Sequence, residues 1–136
     1  MENIVVFLQE QALIVAALAI LIFAFLRREA SESGSKLSLS EVVQAMNSEK
    51  AVLLDIRESK EFGQGHVANA INIAHAKVES SIGQLDKYRE KQIIVTDAMG
   101  QQASTITRLL AKKGFTVARM RGGMSDWKQE GLPLVK

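Results

Sequence analysis

Asp97 occupies the place along the chain that most invites chemistry. It follows an apolar run, Gln92 to Thr96, and precedes Ala98, Met99, Gly100, Gln101 and Gln102, after which a helical pattern begins. A carboxylate at the end of a buried strand has two uses. It can attack phosphorus as a nucleophile, or it can accept hydrogen bonds from the amides of its own loop. The first use needs further acidic side chains to hold Mg2+, and the loop supplies none. The second needs only amides. It predicts a closed loop in which Asp97 fills, with its own charge, the cradle that a bound anion would occupy.

The remaining candidates are bland. His66, in Gly65-His66-Val67, reads as a turn-holding residue, and Trp127 as the packing residue of the last helix. His75 follows the apolar run Ala70 to Ala74 and could face the loop, but without a nucleophile it has no proton to accept. Asp55, Arg57 and Glu61 read as an ion-pair network of the scaffold. Lys112, Lys113, Arg119 and Arg121 are basic enough to touch anionic headgroups, although a solvated surface is the simpler reading. The 136 residues contain no cysteine, which excludes disulfides, cysteine-ligated zinc, iron–sulfur clusters and every thiolate nucleophile. No pattern calls for a metal or another cofactor. Seventeen basic against fifteen acidic side chains leave a formal charge of +2, which gives no case for a nucleic-acid partner.

Two kinds of element position these residues. From Ile4 to Leu26 the only polar interruptions are Gln9, Glu10 and Gln11. At about 1.5 Å per residue such a helix spans roughly 34 Å, against a hydrocarbon core of about 30 Å. The bases Arg27 and Arg28 follow the apolar run, and no small-x-small exit ends it, which argues for an uncleaved anchor over a signal peptide. With Arg27, Arg28 and Lys36 on its C-terminal side, the positive-inside rule places the N-terminus outside and the rest of the chain in the cytoplasm. Residues 1–28 are thus expected to be a membrane anchor, 29–36 a flexible linker of small and polar residues, and 37–136 a folded domain.

Within that domain, Ser38 and Glu41 have capping-box spacing and introduce a helix toward Asn47. Short apolar runs at Ala51 to Ile56, Ala70 to Ala74, Gln92 to Thr96 and Thr116 to Met120 read as strands. Helical stretches fall between them, the clearest carrying Ala103, Ile106, Leu109 and Leu110 on one face and stopping at Gly114. Alternating strands and helices predict an α/β domain with a mostly parallel sheet, whose sites lie beyond the carboxyl ends of the strands.

Three stretches together resemble the rhodanese homology domain. Leu53 to Ala74, LLDIRESKEFGQGHVANAINIA, is similar to the family's D-x-R, E-F, G-H and G-A-I-N-I-P series; Gln92 to Ser104 corresponds to its strand, active-site loop and helix; and Arg121 to Leu134, RGGMSDWKQEGLPL, resembles its closing signature. Ala68 and Ala74 stand where the family has Gly and Pro, a minor change of turn geometry. The resemblance implies a three-layer α/β fold preceded by one transmembrane helix, as in small bacterial inner-membrane proteins of this type. It also implies a cysteine in the loop, held by backbone amides, with an arginine five residues on. Here Asp97 takes the cysteine position and Gln102 the arginine position. A carboxylate cannot carry sulfane sulfur as a persulfide, and without the arginine a cation for an anionic donor is lost. Residues Asp97, Ala98, Met99, Gly100, Gln101 and Gln102 therefore read as a degenerate active-site loop with no catalytic residue.

The expected function is a membrane-anchored, catalytically inactive binding or regulatory module at the cytoplasmic face, its partners being the bilayer and a membrane or membrane-proximal protein. Two alternatives differ in class. One is a sulfurtransferase-related role in sulfur trafficking that uses a partner's cysteine. The other is an accessory subunit of a membrane complex working through its helix, where Glu10 and Gln11, and the spacing of Ala12 and Ala16, become contacts.

Overall fold

The computed structural model describes residues 2–32 and 34–136. It divides between Ser31 and Glu32 into two compact units. In the first, α1 (Glu2–Glu32) is a single helix whose apolar side chains are exposed all round, Ile4, Leu13, Ile20 and Phe23 among them. A helix without a polar face belongs in a protein core or a bilayer. Its stretch Glu2–Arg28 is long and apolar enough to cross a membrane.

The second unit holds β1 (Ser35–Leu37), α2 (Leu39–Asn47), β2 (Ala51–Asp55), α3 (Ser59–Gln64), β3 (Ile71–Asn72), β4 (Gln92–Thr96), α4 (Ala103–Lys112), β5 (Val117–Met120) and α5 (Gly123–Gln129), with 3-10 turns at His75–Lys77 and Glu79–Tyr88. The five strands form one sheet in the order β1-β5-β4-β2-β3, every pairing parallel. This is the expected α/β fold. The boundary drawn from the sequence shifts, however: helix continues to Glu32 and the sheet takes Ser35 and Lys36, both read as linker, while Ser33 lies outside the described residues. β1 escapes a pattern search because it is three residues long and sits at an edge, where Ser35 and Lys36 face solvent.

The central strands β2 and β4 are apolar at Ala51 to Leu54 and Ile93 to Val95 because both sheet faces are covered, with polar residues only at their ends. On one face Leu54, Ile56, Ile93 and Val95 pack under Ala103, Ile106 and Leu110 of α4 and under Val78 and Leu85. On the other, Leu53, Ile94, Ala118 and Met120 pack against Val42 of α2 and Met124 and Trp127 of α5. The capping box that starts α2 is present, Ser38 Oγ accepting from the Glu41 amide at 3.3 Å.

Parallel strands deliver their carboxyl ends to one edge, so the segments after Asp55, Asn72, Thr96 and Met120 meet there. One ion pair fixes this edge. Arg57 reaches back to Asp55 with Nη2–Oδ2 at 2.7 Å and Nε at 3.0 Å from both carboxylate oxygens, and its Nη2 also donates to the Gly65 carbonyl at 2.9 Å. Asn72 Nδ2 donates to the carbonyls of Asp55 and Arg57 at 3.0 and 2.9 Å, tying β3 to the exit of β2. Glu61, expected in this network, stands exposed on α3 and makes no ion pair with either partner; the six-residue helix turns it to solvent. Both members of the pair are buried, so removing one leaves an uncompensated charge. Arg57→Met is expected to cost about 3–5 kcal/mol of unfolding free energy, read by denaturant titration of the full chain in detergent with the single tryptophan, Trp127, as reporter.

Candidate functional site: the loop between β4 and α4

Five residues connect Asp97 to the first turn of α4, and the chain folds back on the carboxylate. The amide of Gly100 donates to Asp97 Oδ1, and the amides of Gln102 and Ala103 donate to Oδ2, at 2.6 and 3.0 Å. Gly100 turns the loop at φ +89°, a left-handed conformation that glycine adopts without strain. Ala103 opens α4, and Gln102, in the N-cap position, gives the helix no side-chain hydrogen bond. Asp97 therefore caps the helix from outside, satisfying two amides that an uncapped end would leave without partners. The site also suits a negative charge, since the N-terminus of a helix carries roughly half a positive elementary charge.

A second loop closes over the first. The Met124 amide donates to the Asp97 carbonyl at 2.7 Å and the Ser125 amide to the Ala98 carbonyl at 2.8 Å, joining the start of α5 to the loop. Gly123, at φ +63°, makes the approach possible: a Cβ there would lie 2.6 Å from the Asp97 carbonyl oxygen and 2.8 Å from the Gly100 amide nitrogen. The Gly122-Gly123 pair was visible in the sequence, but its role as the floor of the Asp97 loop was not. Asp97 ends up 2% exposed. Both carboxylate oxygens are engaged, Oδ1 with one amide and Oδ2 with two, so the amides of the cradle already face a negative charge.

The outer surface of the loop has a different character. Ala98, Met99, Gln101 and Gln102 are exposed, Met99 by 65%, and none carries a charge. Two clefts of 530 and 940 Å3 lie elsewhere, lined by Val43, Met46 and Leu132 among others, and neither includes any residue from Asp97 to Gln102.

The other sequence candidates fall outside this site. His66 stacks on Phe62 at 3.8 Å, its Nδ1 lies 2.9 Å from the Phe62 carbonyl, and its backbone pairs with Val135, so it holds the turn after α3 to the C-terminal segment. His75 is exposed, with its amide donating to the Ile56 carbonyl at 3.0 Å. Trp127 is buried under the sheet, its Nε1 donating to the Pro133 carbonyl at 3.1 Å. The basic residues form no single patch: Lys112 and Lys113 end α4, Arg121 follows β5 at the opposite edge of the sheet, and Arg119 is half-buried, its Nε without a hydrogen-bond partner among the described residues. No group of three or more histidine or acidic side chains among the described residues could hold a metal ion.

Removing the Asp97 carboxylate leaves three amides turned inward with nothing to accept them. Asp97→Ala is expected to lower the unfolding free energy by about 2–4 kcal/mol. Asp97→Asn keeps the shape and one acceptor, and about half that loss is expected from it, with Trp127 fluorescence again the measure.

The Rhodanese-like domain family model matches residues 38–130. Protein YibN of Escherichia coli (strain K12), described as uncharacterized, is 35% identical over 98 residues, 71% of this chain and 68% of its own length. The thiosulfate sulfurtransferase GlpE of Shewanella oneidensis is 28% identical over 94 residues, 68% of this chain and 91% of its own. Among solved structures, a rhodanese-related protein from Thermoplasma volcanium superimposes with a TM-score of 0.68 at 27% identity, over 74% of this chain and 97% of its own. With its parallel sheet, its β4–α4 loop and these likenesses, the chain belongs to the rhodanese-like domain family.

Proposed function

We propose that this chain is a membrane-anchored rhodanese-like domain without sulfurtransferase activity, and that it serves as a protein-binding or regulatory module at the cytoplasmic face of the membrane. The observation that carries the reading is the Asp97 carboxylate lying on the amides of Gly100, Gln102 and Ala103. In the active members that the sequence resembles, such amides hold a cysteine thiolate or its persulfide. Here they hold an internal carboxylate, and the chain has no cysteine to take its place. A framework maintained around a filled cradle suits a surface for recognition. The uncharged, exposed tip at Ala98 and Met99 is the part of that surface the loop offers to a partner. The helix α1, long and apolar enough to span a bilayer, would confine the module to the membrane and raise its effective concentration toward targets there.

Relatives named as sulfurtransferases favour a second reading, sulfur trafficking with a partner's cysteine. A thiosulfate–cyanide assay on the full chain in detergent tests whether the chain turns over by itself. No turnover above the protein-free rate is expected, and turnover that depends on the chain would overturn the non-catalytic reading. The double variant Asp97→Cys, Gln102→Arg restores a thiol and a cation. It is expected to gain the mass of one sulfur atom on exposure to thiosulfate, as the thiolate takes the sulfane sulfur and sulfite leaves. For the binding role, a photo-crosslinking residue at Met99 in the full chain in cells is expected to trap one discrete protein. Adducts formed only from positions in α1 would assign recognition to the helix instead.

A further inference from the structure

The two edges of the sheet differ in charge. The segments that lead into β2, β4 and β5 are Ser48-Glu49-Lys50, Arg89-Glu90-Lys91 and Lys112-Lys113-Gly114. They form one continuous surface, because the Gln92 amide donates to the Lys50 carbonyl at 3.1 Å and Arg89 Nη1 to the Lys113 carbonyl at 2.9 Å. On it stand Lys50, Arg89, Lys91, Lys112 and Lys113. Glu49, Glu90 and Asp86 oppose them, the last already paired with Arg89 at 3.0 Å. Where the strands end the balance reverses: outside the buried Asp55–Arg57 pair, Glu58, Glu61, Glu79, Asp97 and Asp126 outnumber Lys60, Lys77 and Arg121. Lys112 and Lys113 complement the C-terminal dipole of α4. Lys50 lies two residues past the C-cap of α2, its amide donating to the Ala45 carbonyl at 3.2 Å, and Lys91 lies two past the C-cap of the Glu79–Tyr88 3-10 turn, so all four lysines stand where helical segments end.

We propose that this basic edge binds the anionic headgroups of the membrane in which α1 is anchored. The proposal rests on the membrane-spanning reading given above. Chain connectivity selects the edge: β1 is the first element after α1 in sequence and, being parallel to the other strands, enters the sheet from the same side as β2, β4 and β5. Negative lipid then meets the edge that carries the excess of lysine and arginine, within the Debye length of about 10 Å over which such charges act. The edge holding Asp97 and the exposed Met99 is left free for a soluble or membrane-proximal partner. Lipid binding here is an orienting device that sets which end of the domain is presented.

The test uses the full chain in nanodiscs of phosphatidylcholine alone or with phosphatidylglycerol, with amine-reactive labelling of each lysine read by peptide mass spectrometry. In anionic discs Lys50, Lys91, Lys112 and Lys113 are expected to label about threefold more slowly or less, an effect lost in high salt, while Lys60 and Lys77 are unchanged. In the exposed-surface variant K112E/K113E, the protection of Lys50 and Lys91 is expected to fall toward the neutral-disc value. Equal labelling in both kinds of disc, with the chain retained in them, would overturn the proposal alone. A chain that does not co-elute with discs of either kind would overturn the membrane-spanning reading and this proposal with it. Protection that requires added RNA in place of anionic lipid would also overturn it.

Discussion

A buried carboxylate on the edge of a parallel sheet has to be answered by donors, and in this chain the answer comes from the backbone that follows it. Asp97 gathers the amides of Gly100, Gln102 and Ala103, and in doing so it sets the path of the loop, caps α4 and gives Gly123 and Met124 a surface on which to start α5. The same donors would bind any anion of suitable size. Because the charge is covalently part of the loop, the cradle is permanently occupied and the loop needs no ligand to be complete. One side chain thus links structure and the proposed function: on that reading, what stabilises the loop is also what closes it to sulfur transfer.

The sequence made the central strands plain because β2 and β4 are covered on both faces and so read as apolar runs with polar residues only at their ends. The capping box at Ser38 and the stripe Ala103, Ile106, Leu110 were legible for a similar reason, since each uses a local pattern with its own period. β1 was not legible. An edge strand of three residues needs little apolar surface, and Ser35 and Lys36 resemble the linker that precedes them. The Asp55–Arg57 pair could be read, but the exclusion of Glu61 could not, because only the direction in which α3 leaves β2 decides it. At the site, the types of residue pointed to a filled amide cradle. Which amides fill it is decided by the turn at Gly100, close to Asp97 in sequence, whereas the contact of Gly123 with the loop joins segments more than 20 residues apart through a register no local pattern encodes.

The two ends of the domain carry different properties, and parallel topology is the reason. All strands start at one edge and finish at the other, so side chains in the turns before strands and after strands are sorted in space without being adjacent in sequence. The starting edge collects lysines and arginine. The finishing edge collects the buried ion pair, the Asp97 loop and the exposed Met99. On the proposed reading the first faces lipid and the second faces a partner. A fold whose relatives are named as sulfurtransferases would then serve for recognition with its ancestral pocket filled from within.

The most direct measurement is an amide NMR titration of the full chain in detergent with thiosulfate, and in parallel with sulfate, following Gly100, Gln102 and Ala103. If Asp97 occupies the cradle, these three resonances stay fixed across the titration and their amides exchange slowly with solvent throughout. Saturable movement of the same three resonances on adding either anion would show that the cradle is open and would contradict the account.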